Sequence, residues 1–157
     1  MTLLDDYRAA RRDEDVARLR RALALRALVA GGTSQREIAA ALGISQPAVS
    51  QQLSVARRLD DIDVETLVEA AAPVLVLVAH DRGFTRLAVS GSVARGDATS
   101  DSDIDLLVDP PIDASIADVM RLRGTFETVL GRPVDLVTYG GLHPARDADI
   151  LTDAKAL

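Results

Sequence analysis

At 157 residues, with a formal charge of -6, 48% hydrophobic residues and no cysteine, the chain has room for one ordinary domain or two small ones, because domains run mostly ~100 to 150 residues with a lower limit near 50. The lack of cysteine excludes disulfides and thiolate metal sites, which leaves oxygen or imidazole ligands and makes hard cations such as Mg the natural metals. No apolar run approaches the ~20 residues of a membrane helix, and Asp5 and Asp6 followed by arginines do not resemble a signal peptide, so a cytoplasmic protein with no membrane partner is expected.

Charge is unevenly placed. Residues 1–60 hold ten arginines against seven acids, whereas residues 61–157 hold eight basic residues against seventeen acids. Such asymmetry hints at a nucleic-acid module joined to something else. Two small domains each bury little core, so dimerisation is a fair default.

In chain order, Val16, Leu19, Leu23, Ala27 and Ala30 recur at three- and four-residue steps and predict a helix over 13–30, stopped by Gly31 and Gly32. Ser34 and Glu37 form the S-x-x-E of a capping box that starts a second helix running to about Leu42. Gly43 suits a left-handed helix end. Ser45 can cap a third helix that tolerates Pro47 in its first turn and runs to about Leu59. The acidic stretch Asp60 to Asp63 marks a boundary, giving expected domains 1–60 and 64–157. Residues 64–82 read as helix, broken or restarted at Pro73. Three β-like runs follow, Arg86 to Ser90, Ile104 to Val108 and Pro133 to Thr138, with a helical pattern from Ala114 to Leu130 between the last two. The fold class is α+β: an all-α N-terminal part, then a small mixed sheet with flanking helices.

Ala39, Gly43, Val49 and Leu53 fall where a helix-turn-helix needs a small crossing residue, a turn residue and two core residues. This leaves Gln46, Ser50 and Gln51 on the outward side of the third helix, near the end that enters a major groove in this motif class. Glutamine can bond adenine bidentately, and Arg36, Arg57 and Arg58 are candidate phosphate contacts. Residues 15–59 thus resemble the helix-turn-helix class of bacterial regulators, with operator DNA as the implied partner.

The stretch Gly91 to Val108, GSVARGDATSDSDIDLLV, ends one strand in a Gly-Ser turn and opens the next with D-I-D. Residues two apart on a strand share a face, so Asp103 and Asp105 project together, a costly pairing unless cations neutralise it. Ile104 and Leu106 then face the core. Gly91 and Ser92 offer close backbone approach, free amides and a small hydroxyl to a phosphate, and Arg95 adds charge. Asp135, in PVDLVT, completes the site if its strand pairs beside D-I-D. Asp97, Asp101 and Asp109 read as surface, and His80 and His143 as ordinary loop or surface residues.

The GS turn, paired Asp and later strand Asp resemble the DNA polymerase beta superfamily of nucleotidyltransferases, and GSxARG, SDID and VDLV within it resemble the minimal nucleotidyltransferase group over about residues 66–157. Asp149 to Leu157 resembles the short terminal helix of that group. The resemblance implies two Mg ions on Asp103, Asp105 and Asp135, the catalytic acids, with ATP as donor and Gly91, Ser92 and Arg95 at its phosphates. It further implies an antitoxin that transfers AMP to a HEPN-type toxin and represses its own operon, as a homodimer or a toxin-antitoxin hetero-oligomer. The alternatives are a transferase acting on a small molecule or tRNA, and a transcription regulator with a nucleotide-sensing domain.

Overall fold

The computed structural model describes residues 1–157, the side chains of residues 55–57 excepted. Seven helices and four strands follow in the order α1 (Leu3–Ala30), α2 (Gln35–Leu42), α3 (Gln46–Val55), a 3-10 stretch (Ala56–Asp61), α4 (Val64–His80), β1 (Thr85–Ser90), α5 (Gly91–Arg95), β2 (Ile104–Asp109), α6 (Ile116–Leu130), β3 (Val134–Thr138), a 3-10 turn (Tyr139–Gly141), α7 (Ala148–Asp153) and β4 (Lys155–Ala156). The mixed sheet has strand order β3-β2-β1-β4, with β2 and β3 parallel and the other neighbours antiparallel.

α1 begins at Leu3, ten residues before the start predicted from its apolar stripe. Thr2 and Asp5 form a capping box, and the first five turns' exposed residues are tied by ion pairs Arg8–Asp5 and Arg18–Glu14, with Arg12 reaching Glu69 of α4 at 2.9 Å. Because nothing in residues 3–15 is buried, hydrophobic periodicity could not reveal this helix; the T-x-x-D cap could have. At α3 the opposite holds: the helix ends at Val55 and tightens into the 3-10 stretch instead of running to Leu59.

Pro73 lies inside α4 without breaking it. Proline removes the bond that would reach the carbonyl four residues earlier, here Glu69, and both residues are exposed on the same face, so water can serve that carbonyl. The neighbouring Ala70 carbonyl accepts from Arg20 Nε at 3.1 Å. The buried face, Leu67, Ala70, Ala71, Val74 and Leu75, continues past the proline.

The sheet has two unlike faces. Leu87, Val89, Ile104, Leu106, Val108 and Val134 join α1, α4 and α6 in one core, in which Leu23, Leu67, Leu75, Leu122, Phe126 and Leu130 are fully buried. A smaller cluster of Leu25, Ile38, Ala39 and Val49 holds α2 and α3 onto α1, with Leu53 packed beside it. α1 therefore serves both cores, and Asp60 to Asp63 is a continuous link between them, its Leu59 and Val64 flanks buried and Asp63 capping α4 through Thr66.

At the C-terminal end, a helical ending from Asp149 to Leu157 is corrected by the structure. α7 stops at Asp153, and Lys155 pairs with Val89 and Ala156 with Ala88 along the free edge of β1. The Leu157 amide donates to the Leu87 carbonyl at 3.0 Å. Ala154, with extended backbone, makes the change of direction. Replacing Phe126, which is fully buried beneath the sheet, with alanine is expected to cost ~3–5 kcal/mol of unfolding free energy, measurable by urea denaturation.

Candidate active site and helix-turn-helix face

Asp105 is held by its two strand neighbours. Across the antiparallel ladder it lies opposite Ser90, the last residue of β1, and across the parallel ladder it lies opposite Asp135. Asp103 precedes β2 by one residue and, two positions before Asp105, falls on the same side. This is the side of the sheet away from the helices, since Ile104 and Leu106 point into the core. The register thus places Asp105 beside Asp135, and the charges of Asp103 and Asp135 both act on Asp105. Asp103 and Asp135 are exposed, while Asp105 is half-buried.

Gly91 explains the burial. Its φ of +66° is left-handed, and a Cβ there would overlap Asp105 Oδ2 and lie 3.2 Å from its Cγ. Only glycine combines that backbone conformation with so close an approach. The chain then turns into α5, where Ser92 is half-buried and Ser90, the N-cap residue, makes no side-chain capping bond.

Electrostatically the site is under strain. Burial, then the charges of Asp135 and Asp103, push the Asp105 carboxyl above its ordinary range, and only Arg95 works the other way. Arg95, expected at a phosphate, is ion-paired with Asp153 of α7 at 2.9 Å and with Asp97 at 3.4 Å. Asp153 lies in the Asp149 to Leu157 segment but was given no role there, because its pairing arises only when α7 folds back beside α5. Asp97 and Asp101 are exposed as expected. Asp109 is instead half-buried and bonded to Arg86 at 2.7 Å, where Arg86, with φ of 55° at a bulge in β1, stacks on Tyr139. His80 and His143 are exposed, and His143 only braces its own loop with Asp147.

The three carboxylates suit a hard divalent cation by donor chemistry and by their mutual repulsion, which a cation would relieve. Among the described residues, however, no three His, Cys, Asp or Glu side chains stand close enough together to hold a metal ion by themselves. Mg is commonly held by one or two carboxylates plus the oxygens of a phosphate ligand, a donor set to which these carboxylates can contribute.

In the helix-turn-helix, Ser34 and Glu37 make the capping box, Gly43 has a φ of +65° and Ser45 Oγ accepts from Ala48 N at 3.2 Å. Gln46, Ser50, Gln51 and Arg36 are exposed, as is Arg58; the Arg57 side chain lies outside the described residues. Gln51 lines a groove with Arg18, Arg21, Ala22 and Gln52, so α1 contributes two arginines beside α3 that the motif alone did not identify. Their three-residue spacing on α1 was the available signal.

Because the folded state raises the Asp105 carboxyl above its unfolded value, its charge opposes folding at neutral pH. The stability it contributes is present below the ordinary carboxylate range and is lost as pH rises through the raised value. Asp105→Asn should accordingly raise Tm at pH 7 in metal-free buffer, with the gain shrinking as pH is lowered through the carboxylate range; calorimetry at several pH values checks this.

A family model described as a nucleotidyltransferase domain matches residues 78–157, and one described as the bacterial regulatory protein arsR family matches residues 20–59. A candidate protein adenylyltransferase of Methanocaldococcus jannaschii is 39% identical over 79 residues, covering 50% of this chain and 83% of that protein. The protein adenylyltransferase MntA of Thermococcus cleftensis is 37% identical over 73 residues, covering 43% of this chain and 74% of the relative. The solved structure of a candidate minimal nucleotidyltransferase superposes with a TM-score of 0.55 at 38% identity, covering 61% of this chain and 97% of that one. With its GS turn, register-paired carboxylates and matching domain, the chain belongs to the nucleotidyltransferase domain family and carries an ArsR-type helix-turn-helix ahead of the transferase fold.

Proposed function

We propose that the chain is a Mg-dependent protein adenylyltransferase antitoxin, which transfers AMP from ATP to a HEPN-type partner toxin in the cytoplasm and binds its own operator through α3. Residues 1–60 serve DNA in this reading and residues 64–157 serve transfer. The observation that carries it is Asp105, pressed against Gly91 on one side and registered with Asp135 on the other, in a chain similar to proteins named as adenylyltransferases.

In the reaction, the acceptor hydroxyl oxygen bonds to the α-phosphorus, the bond from that phosphorus to the bridging oxygen breaks, and pyrophosphate leaves with that electron pair. Asp103, Asp105 and Asp135 would hold two Mg ions, which when bound supply charge neutralisation to the triphosphate and the leaving pyrophosphate. A carboxylate oxygen of Asp135 takes the hydroxyl proton. Gly91 and Ser92 receive the phosphates at the start of α5. Arg95 reaches them by exchanging its Asp97 or Asp153 partner for a phosphate oxygen, a trade between exposed ion pairs of small net cost.

A protein acceptor is favoured by the openness of the site. Asp103 and Asp135 are exposed, and the three best-formed clefts among the described residues are lined by other residues, so none of those three adjoins the carboxylates. A tRNA acceptor is opposed by the acidic balance of residues 61–157, since nucleic-acid affinity rests on phosphate neutralisation.

Incubation with labelled ATP, Mg and the adjacent gene product is expected to label the partner, and Asp105→Ala to reduce labelling by ~100-fold or more. No label on any partner with any nucleoside triphosphate would overturn the reading in favour of nucleotide sensing. For DNA, Gln46→Ala and Gln51→Ala are each expected to cost ~1–3 kcal/mol at one operator position, whereas Arg36→Ala should lower the salt dependence by about one unit of slope; titrations on operator and scrambled duplexes separate the two.

A further inference from the structure

Arg132 is the one charged side chain buried among the described residues, 8% exposed, and it lies outside every motif discussed above. Its acceptors are all neutral backbone carbonyls. One terminal nitrogen donates to Ser100 at 2.8 Å, and the other donates to Ile62 at 3.0 Å and Asp60 at 3.4 Å. Its Nε has no partner among the described residues. Burying a guanidinium against neutral acceptors is a poor way to gain stability, because the desolvation cost is offset only by hydrogen bonds. What a planar fork does offer is fixed geometry between the groups it bridges.

Those groups are informative. Ser100 lies in the turn closed by Ser102 N to Thr99 O at 3.0 Å and Thr99 N to Ser102 Oγ at 2.8 Å, directly before Asp103. Asp60 and Ile62 belong to the link that leaves the helix-turn-helix. Pro133, the residue after Arg132, accepts from the Ile104 amide at 3.2 Å, between Asp103 and Asp105. Two successive residues therefore grip the loop that presents the carboxylates, and the same guanidinium grips the link. The turn before it is also anchored: Leu59 packs under Gly131, and Arg26 of α1 donates to the Val129 and Thr128 carbonyls at the end of α6.

We propose that Arg132 is a positioning residue for the transfer reaction, fixing the Thr99–Asp103 loop through the Ser100 carbonyl and registering it to the helix-turn-helix link through the Asp60 and Ile62 carbonyls. The role in transfer rests on the reading of the preceding subsection; the mechanical connection does not.

The test uses the full chain and Arg132→Lys, in which a single nitrogen cannot span both sides. Amide exchange in 97–103 and in 59–63 should accelerate together, by ~10-fold or more, while the interiors of α4 and α6 stay protected. The Mg-ATP concentration giving half-maximal transfer should rise several-fold with kcat changed less than about 3-fold, the mark of lost ground-state positioning. Faster exchange in the link alone, uniform acceleration everywhere, or unchanged half-saturation would overturn the proposal. If the variant does not fold, the wild type still decides: under rising denaturant, 97–103 and 59–63 should open as one unit below the global unfolding energy, and separate openings would overturn the connection. Exchange is read without turnover, so a protein inactive in transfer would sink the adenylyltransferase reading by itself.

Discussion

Three negative charges gathered on one face of a small sheet have to be held there by the rest of the fold. The parallel ladder fixes Asp135 beside Asp105, the two-residue period fixes Asp103, and none of the three can relax away without dragging a core residue out of place: Ile104 and Leu106 alternate with Asp103 and Asp105, and Val134 precedes Asp135, all three buried. The apolar face of β2 thus holds the polar face in position. A fold that only needed stability would not make this arrangement, since Asp105 is pushed above its ordinary range by burial and by its neighbours.

The second dependence runs through α1. One long helix supplies Val16, Leu19 and Leu23 to the transferase core and Leu25 to the cluster that carries α2 and α3. Arginines then sew the parts to each other through backbone carbonyls: Arg20 to α4, Arg26 to the end of α6 and Arg132 to the link. Carbonyl acceptors cannot be altered by substitution at their own positions, so such contacts leave little trace in motifs of acids and bases. They tie the helix-turn-helix link and α1 to the elements around the sheet.

What the sequence revealed and what it hid follow from this division. Features governed by local rules were legible: the Ser34–Glu37 cap, the Gly43 turn, and the alternation of D-I-D with Ile104 and Leu106; Gly91 was read as making room for a phosphate, whereas the structure shows it making room for Asp105. Features set by nonlocal packing were not. The exposed start of α1 has no apolar period to read, Pro73 looks like a break until its exposed side of α4 is known, and β4 consists of two residues whose pairing exists only because β1 has a free edge. Asp153 and Arg132 acquire their partners from elements 58 and 32 or more residues away, beyond the reach of spacing arguments.

The two borders of the sheet have a consequence for association between molecules. An unpaired strand invites another chain to add to it, and short strands or charged residues discourage this. On the β1 side the border is closed by β4, only two residues long. On the other side β3 is the border, with sequence VDLVT, and its single charge is Asp135. The acid proposed for proton transfer is therefore also the one charge that discourages edge-to-edge pairing there. A neutral residue at 135 leaves a five-residue uncharged border strand, so in such a variant self-association has to be separated from a chemical loss of activity.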